Sequence, residues 1–155
     1  MKSFVVPMAC VALALALSGC GGKSGGSSTS GAAAGGAAVS PYDQGPRAAE
    51  TPIDESKVVV GRQLFQTKGC SACHSFGKRM SGPNLSGVTR RRTADWMEHQ
   101  ILHPEIMTHQ DPISRQLFAQ FALQMPNQGL TPDQARAVIE FFKHTDPEGS
   151  DSKHD

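Results

Sequence analysis

The run Cys70-Ser71-Ala72-Cys73-His74 holds the residues of this chain best placed to do chemistry. Two thiols three positions apart, with a histidine directly after the second, have the spacing for covalent attachment of a c-type haem. One turn of chain between Cys70 and Cys73 lets both sulfurs reach the two vinyl groups of one porphyrin as thioethers. The adjacent His74 is then held under the iron as its proximal ligand. A zinc site needs two further ligands at metal spacing, and only His74 follows closely. A thioredoxin-like dithiol sits after a strand in a βαβ pattern, and no such pattern surrounds the motif. The chemistry implied is electron transfer at iron.

The elements that must position the motif read as helices. Asp54 is placed to cap a first helix carrying Val58, Gly61, Leu64, Phe65 and Lys68 straight into Cys70. Thr93 caps a second, with Trp96, Met97, Ile101 and Leu102 on one side and a stop before Pro104. Asp111-Pro112 opens a third, in which Ile113, Leu117, Phe118 and Phe121 are spaced for a buried stripe. Thr131-Pro132-Asp133-Gln134 is a capping box for a last helix bearing Ala135, Val138, Ile139 and Phe142. No alternating strand pattern of useful length occurs. The expectation is an all-α domain over residues 54–146, about four helices wrapped around one covalent haem. A domain this small buries only a modest share of its surface, so a large apolar cofactor forms much of its core.

From about residue 57 to 144 the chain resembles a small monohaem bacterial cytochrome c of the His/Met-ligated type. The matching pieces are Gly61-Arg62-Gln63-Leu64-Phe65, the Cys70 motif, Gly82-Pro83-Asn84-Leu85, Trp96, Met125-Pro126-Asn127 and the helix ending in Phe141-Phe142. The resemblance implies a close crossing of the first and last helices, with Gly61 and Phe65 against Phe141 or Phe142. It also implies that the Pro83 carbonyl accepts the second N–H of His74. Trp96 would donate its indole N–H toward a haem propionate, with Arg90, Arg91 or Arg92 helping. Met125 is the candidate sixth ligand, because Pro126 holds it out of helical geometry and a thioether raises the potential relative to anionic ligands. Its rivals are Met80, Met107, His103 and His109; Met80 is only six residues past His74, and Met107 sits in a proline-flanked connection. His99 and His103, four apart, read as a solvated helix face rather than a second metal site.

The segment before the domain reads as targeting and tether. Lys2 and the apolar run Phe4 to Leu17 form a signal peptide, too short and Ala-rich for a membrane span. It ends in Leu17-Ser18-Gly19-Cys20, which resembles a bacterial lipoprotein box and implies acylation of Cys20 after removal of residues 1–19. With Cys10 removed and Cys20 lipidated, no thiol remains for a disulfide once haem takes Cys70 and Cys73. Several acyl chains anchor stably where one does not, and Gly21 after the acylated position points to an outer membrane in a Gram-negative host. Residues 20–53, rich in Gly, Ala and Ser, are expected to be a flexible tether, and residues 147–155 a frayed tail.

The whole chain has fifteen basic and fourteen acidic residues, so loss of Lys2 leaves it formally neutral. Its charge is uneven: Lys68, Lys78, Arg79, Arg90, Arg91 and Arg92 fall in a stretch with no acid. A positive ring near the haem edge would steer an acidic redox partner. Nucleic acid is not indicated, since no aromatic-interleaved basic face accompanies the cluster. A monomeric head acting as an electron carrier is the leading function. A haem enzyme or a gas sensor would require an open or labile sixth position.

Overall fold

The computed structural model describes residues 39–146, and these contain helices and loops but no strand. The four helices expected from the sequence are present. They are α1 (Glu55–Thr67), α4 (Ala94–Leu102), α6 (Pro112–Phe121) and α7 (Pro132–Thr145). Their starts follow local chemistry. The side chains of Asp54, Thr93, Asp111 and Thr131 each accept a backbone N–H of the first turn they cap. Three short helices complete the domain: α2 (Cys70–Cys73), α3 (Val88–Arg91) and α5 (Pro104–Gln110). The stretch holding Met107, read from its flanking prolines as a connection, is α5 itself. Pro104 stops α4 but starts α5, where its missing N–H costs nothing.

α1 crosses α7 at Gly61. A Cβ built there would run into the carbonyl of Ala137 and lie 2.9 Å from the Cβ of Phe141. Only glycine lets the two backbones come this close. Below the crossing, Phe65, Phe76, Phe141 and Phe142 form a ring cluster with centroids 5.5 to 6.2 Å apart. The core continues through Trp96, Met97, Met107, Val138 and Ile139, all nearly inaccessible to solvent.

The expected tether boundary is corrected by the structure. Residues 40–53 belong to the folded head rather than to a linker. Ser40 and Ala48 are each 1% exposed. The Asp43 carboxylate accepts the Thr93 N–H at 2.8 Å and pairs with Arg47 at 3.0 Å and Arg92 at 3.4 Å. The Thr93 hydroxyl donates to the Tyr42 carbonyl, the Ala48 N–H donates to the Arg92 carbonyl, and Tyr42 stacks on His99 at 4.1 Å. This N-terminal strap is also tied to α7, whose Lys143 ammonium donates to the Pro52 carbonyl at 2.6 Å. Composition averaged over the segment hid these anchors, because a few side chains do the fastening. The signal segment, Cys20 and residues 147–155 lie outside the described residues. Among the described residues no helix is long and apolar enough to cross a membrane.

Candidate haem-binding site

α1 leads into Gly69 and the single turn of α2, so Cys70 and Cys73 stand one turn apart. The chain then loops back on itself: the Gly82 N–H donates to the Cys73 carbonyl and the Leu85 N–H to the Ser75 carbonyl, both at 2.9 Å. Asn84 pins the loop from inside, its side-chain oxygen accepting the N–H groups of Gly77 and Ser86. The result brings the Pro83 carbonyl to 2.9 Å from Nδ1 of His74. Gly82 makes the approach possible, since a Cβ there would sit 2.6 Å from Cε1 of the imidazole.

A carbonyl can only accept, so Nδ1 carries the proton and Nε2 keeps its lone pair. Burial pushes the His74 pKa below its ordinary value even though the Pro83 hydrogen bond opposes the shift. The ring is therefore neutral and ligand-competent at neutral pH. Burial likewise pushes the Cys70 thiol above its usual value.

Cys70, Cys73 and His74 open onto a cleft with about 1180 Å³ of atom-free space, counting its open mouth. Its walls include Leu85, Trp96, Met97, Ile101, Leu117, Phe118, Phe121, Leu130, Val138 and Phe142. Met125 reaches the same cleft from the segment between α6 and α7. α6 ends earlier than the position of Pro126 suggested, at Phe121, with Ala122 turning left-handed at φ 51°. Asn127 fastens this segment to the end of α4, donating to the Leu102 carbonyl at 2.8 Å. The rival ligands Met80, Met107, His103 and His109 do not line the cleft. Met107 is 1% exposed and belongs to the core.

These residues fit a covalent haem. Two thiols, a neutral imidazole and a thioether converge on walls that are otherwise nearly all apolar. Phe118 and Leu123, exposed at 43% and 49%, both line the cleft, so a flat apolar macrocycle seated there would cover them. Among the described residues no group of His, Cys, Asp and Glu forms a separate metal site. His99 stacks on Tyr42 and faces Asp95.

One expected role is revised. The Trp96 indole N–H is donated to Asp111 Oδ1 at 3.1 Å, so it is committed inside the protein rather than directed to a propionate. Exposed Arg91 donates one N–H to the Ser86 carbonyl at 2.7 Å. Its neighbours are engaged as well, Arg90 with Asp146 and Arg92 with Asp43 and the Trp96 ring. Asp111 and Gln100 are site residues that the sequence reading did not single out as such. The signal for Gln100 was there: it sits four residues after Trp96, a polar residue within the apolar side of α4.

A single small helical domain with a CxxCH turn, an apolar cleft and a methionine-bearing loop defines a monohaem c-type cytochrome. Residues 58–146 match the family model for cytochrome c, more than half of the chain, so the chain belongs to the cytochrome c family. It binds one covalently attached haem c and its family function is electron transfer. Cytochrome c from Rhodothermus marinus is similar in structure, with a TM-score of 0.58 at 34% identity over 60% of this chain and 79% of that one. An engineered cytochrome c from the same organism gives 0.57 at 33% identity, over 60% of this chain and 80% of that one. A further structure of an engineered form, bound to a carbene intermediate, gives 0.55 at 34% identity with the same coverage. No curated protein matches the chain significantly.

Asp111 gives the site its acid sensitivity. The residue is 0% exposed. Burial pushes its carboxyl up, but hydrogen bonds from Ser40, Ser114 and Trp96 outweigh that and hold it below the ordinary 3.8. A depressed folded value means the stability it contributes is present above the unfolded value and lost as pH falls through the folded one. Asp111→Asn should therefore flatten the acid limb of a urea-midpoint curve below about pH 4. Equal acid slopes for the two proteins would remove this assignment.

Proposed function

We propose that this protein is a lipid-anchored, one-electron carrier working outside the plasma membrane, with His74 and Met125 closing the two faces of its haem iron. The observation that carries the reading is that His74 and Met125 reach one apolar cleft from separate loops, beside the two attachment cysteines. When bound, the haem supplies an iron that cycles between two oxidation states. Cys70 and Cys73 hold it by thioethers. Pro83 fixes the His74 ring so that Nε2 presents its lone pair. The neutral, soft Met125 sulfur favours the reduced state. The apolar walls exclude water and so limit the reorganisation that each electron transfer demands.

The anchor is supported by Leu17-Ser18-Gly19-Cys20, and an outer-membrane location is favoured in a Gram-negative host. For docking, Lys68, Lys78, Arg79 and the exposed Arg91 are the basic residues of the acid-free stretch that remain once Arg90 pairs with Asp146 and Arg92 with Asp43. Arg79 lies 4.1 Å above the ring of Phe121, a cleft residue, which places positive charge at the cleft wall. An acidic redox partner complements that charge.

A second reading is supported by the engineered Rhodothermus cytochrome bound to a carbene intermediate. It treats the sixth position as open to small reactive ligands once Met125 yields. The two readings separate in one experiment. On the carrier reading, the reduced holoprotein does not bind carbon monoxide at neutral pH, and Met125→Ala loses the Fe(III)–thioether charge-transfer band and gains carbon monoxide binding. Binding by the unmodified protein would favour the second reading, and a band that survives in the variant would remove Met125 as ligand.

Two further outcomes test the setting. Reoxidation by an acidic partner should slow as ionic strength rises from 10 to 150 mM, where the screening length shrinks from about 30 to about 8 Å; a flat profile excludes charge steering. Cys20→Ser should move the haem protein from the membrane fraction to the soluble one, whereas unchanged membrane association would rule out this anchor.

A further inference from the structure

A polar chain runs through the back of the cleft wall and ends on the sulfur of Met125. Gln100 on α4 places its side-chain amide nitrogen 3.8 Å from Met125 Sδ. Its amide oxygen accepts the hydroxyl of Ser114 on α6 at 2.5 Å. Ser114 is itself held: its backbone N–H donates to Asp111 Oδ1 at 2.9 Å, the same oxygen that takes the Trp96 indole N–H. Ser114 and Asp111 are both buried, at 3% and 0% exposure. An isolated glutamine in an apolar wall would be costly to desolvate. Here both ends of the amide have partners: the oxygen takes the Ser114 hydroxyl and the nitrogen faces the sulfur.

We propose that Gln100 is a positioning residue for the Met125 thioether, oriented by Ser114, and that this pair sets the reduction potential of the centre. The inference rests on the reading of Met125 as sixth ligand. An N–H directed at a thioether draws electron density from the sulfur. Oxidised iron depends on that density more than reduced iron does, so the contact favours the reduced state. Asp111 acts one step further back, fixing the first turn of α6 from which Ser114 reaches Gln100.

The test uses the holoprotein and reads midpoint potential together with the Fe(III)–thioether band. Gln100→Leu keeps the bulk of the side chain and removes its donor. It should favour the oxidised form by roughly three- to tenfold at fixed ambient potential, a fall of up to about 59 mV for a one-electron couple. Ser114→Ala leaves Gln100 in place and the α6 cap intact, because the cap uses a backbone N–H; it should shift the potential the same way by a smaller factor. The double variant should fall closer to Gln100→Leu alone than to the sum of the two single shifts, since Ser114 reaches the sulfur through the amide. Potentials unchanged in both single variants, or additive shifts in the double, would overturn the proposal. If Gln100→Leu does not fold, the Ser114→Ala shift decides alone. Met125→Ala separates the two levels: a surviving band sinks the ligand reading, while a lost band beside an unshifted Gln100→Leu sinks only the clamp.

Discussion

The close crossing of α1 and α7 at Gly61 is the constraint on which the rest depends. Both loops that carry the haem-facing groups are attached to this pair. α1 runs directly into the Cys70 turn, and the Met125 segment runs directly into the capping box of α7. With the two axes held together by the absence of a side chain at Gly61, Phe65 and Phe142 form part of the cleft wall. Any spreading of the pair would move the attachment turn and the methionine segment apart together.

Charge in this domain serves assembly before it serves recognition. The arginine run 90–92 looks in sequence like an exposed basic cluster. In the fold, Asp146 takes the Gly87 N–H, the Thr89 hydroxyl and the Arg90 guanidinium, closing the end of α7 onto α3. Asp43 does the same for Arg92 from the other side, through the strap. The two acids come from positions about fifty residues away along the chain in opposite directions. Paired groups of this kind, partly withdrawn from solvent, lose much of the long-range field that a count of charges suggests.

The strap extends the domain beyond its family-matched part, which begins at residue 58. It covers the start of α4 and the back of α3 and sends Ser40 in toward Asp111. The polar centre at Asp111 therefore collects three separate parts of the chain: the strap, α4 through Trp96, and α6 through Ser114. A buried carboxylate is tolerable only when such donors surround it.

What was legible in the residues was whatever chemistry is short-range. The thiol and imidazole spacing of Cys70 to His74 is a property of one turn. The caps at Asp54, Thr93, Asp111 and Thr131 act within three residues, and the helical periods need only a few turns to show. The chain by itself thus determined the all-α class, the four main helices and the covalent cofactor. Tertiary structure alone decided the partners of groups that reach across the chain. It gave the Trp96 indole to Asp111 rather than outward, turned Arg91 to a local carbonyl, folded residues 40–53 into the head, and set Gln100 against Met125. The physical reason is that a long polar side chain has several acceptors in reach. Which one it takes depends on where distant backbone has been carried by apolar packing, and no local spacing records that.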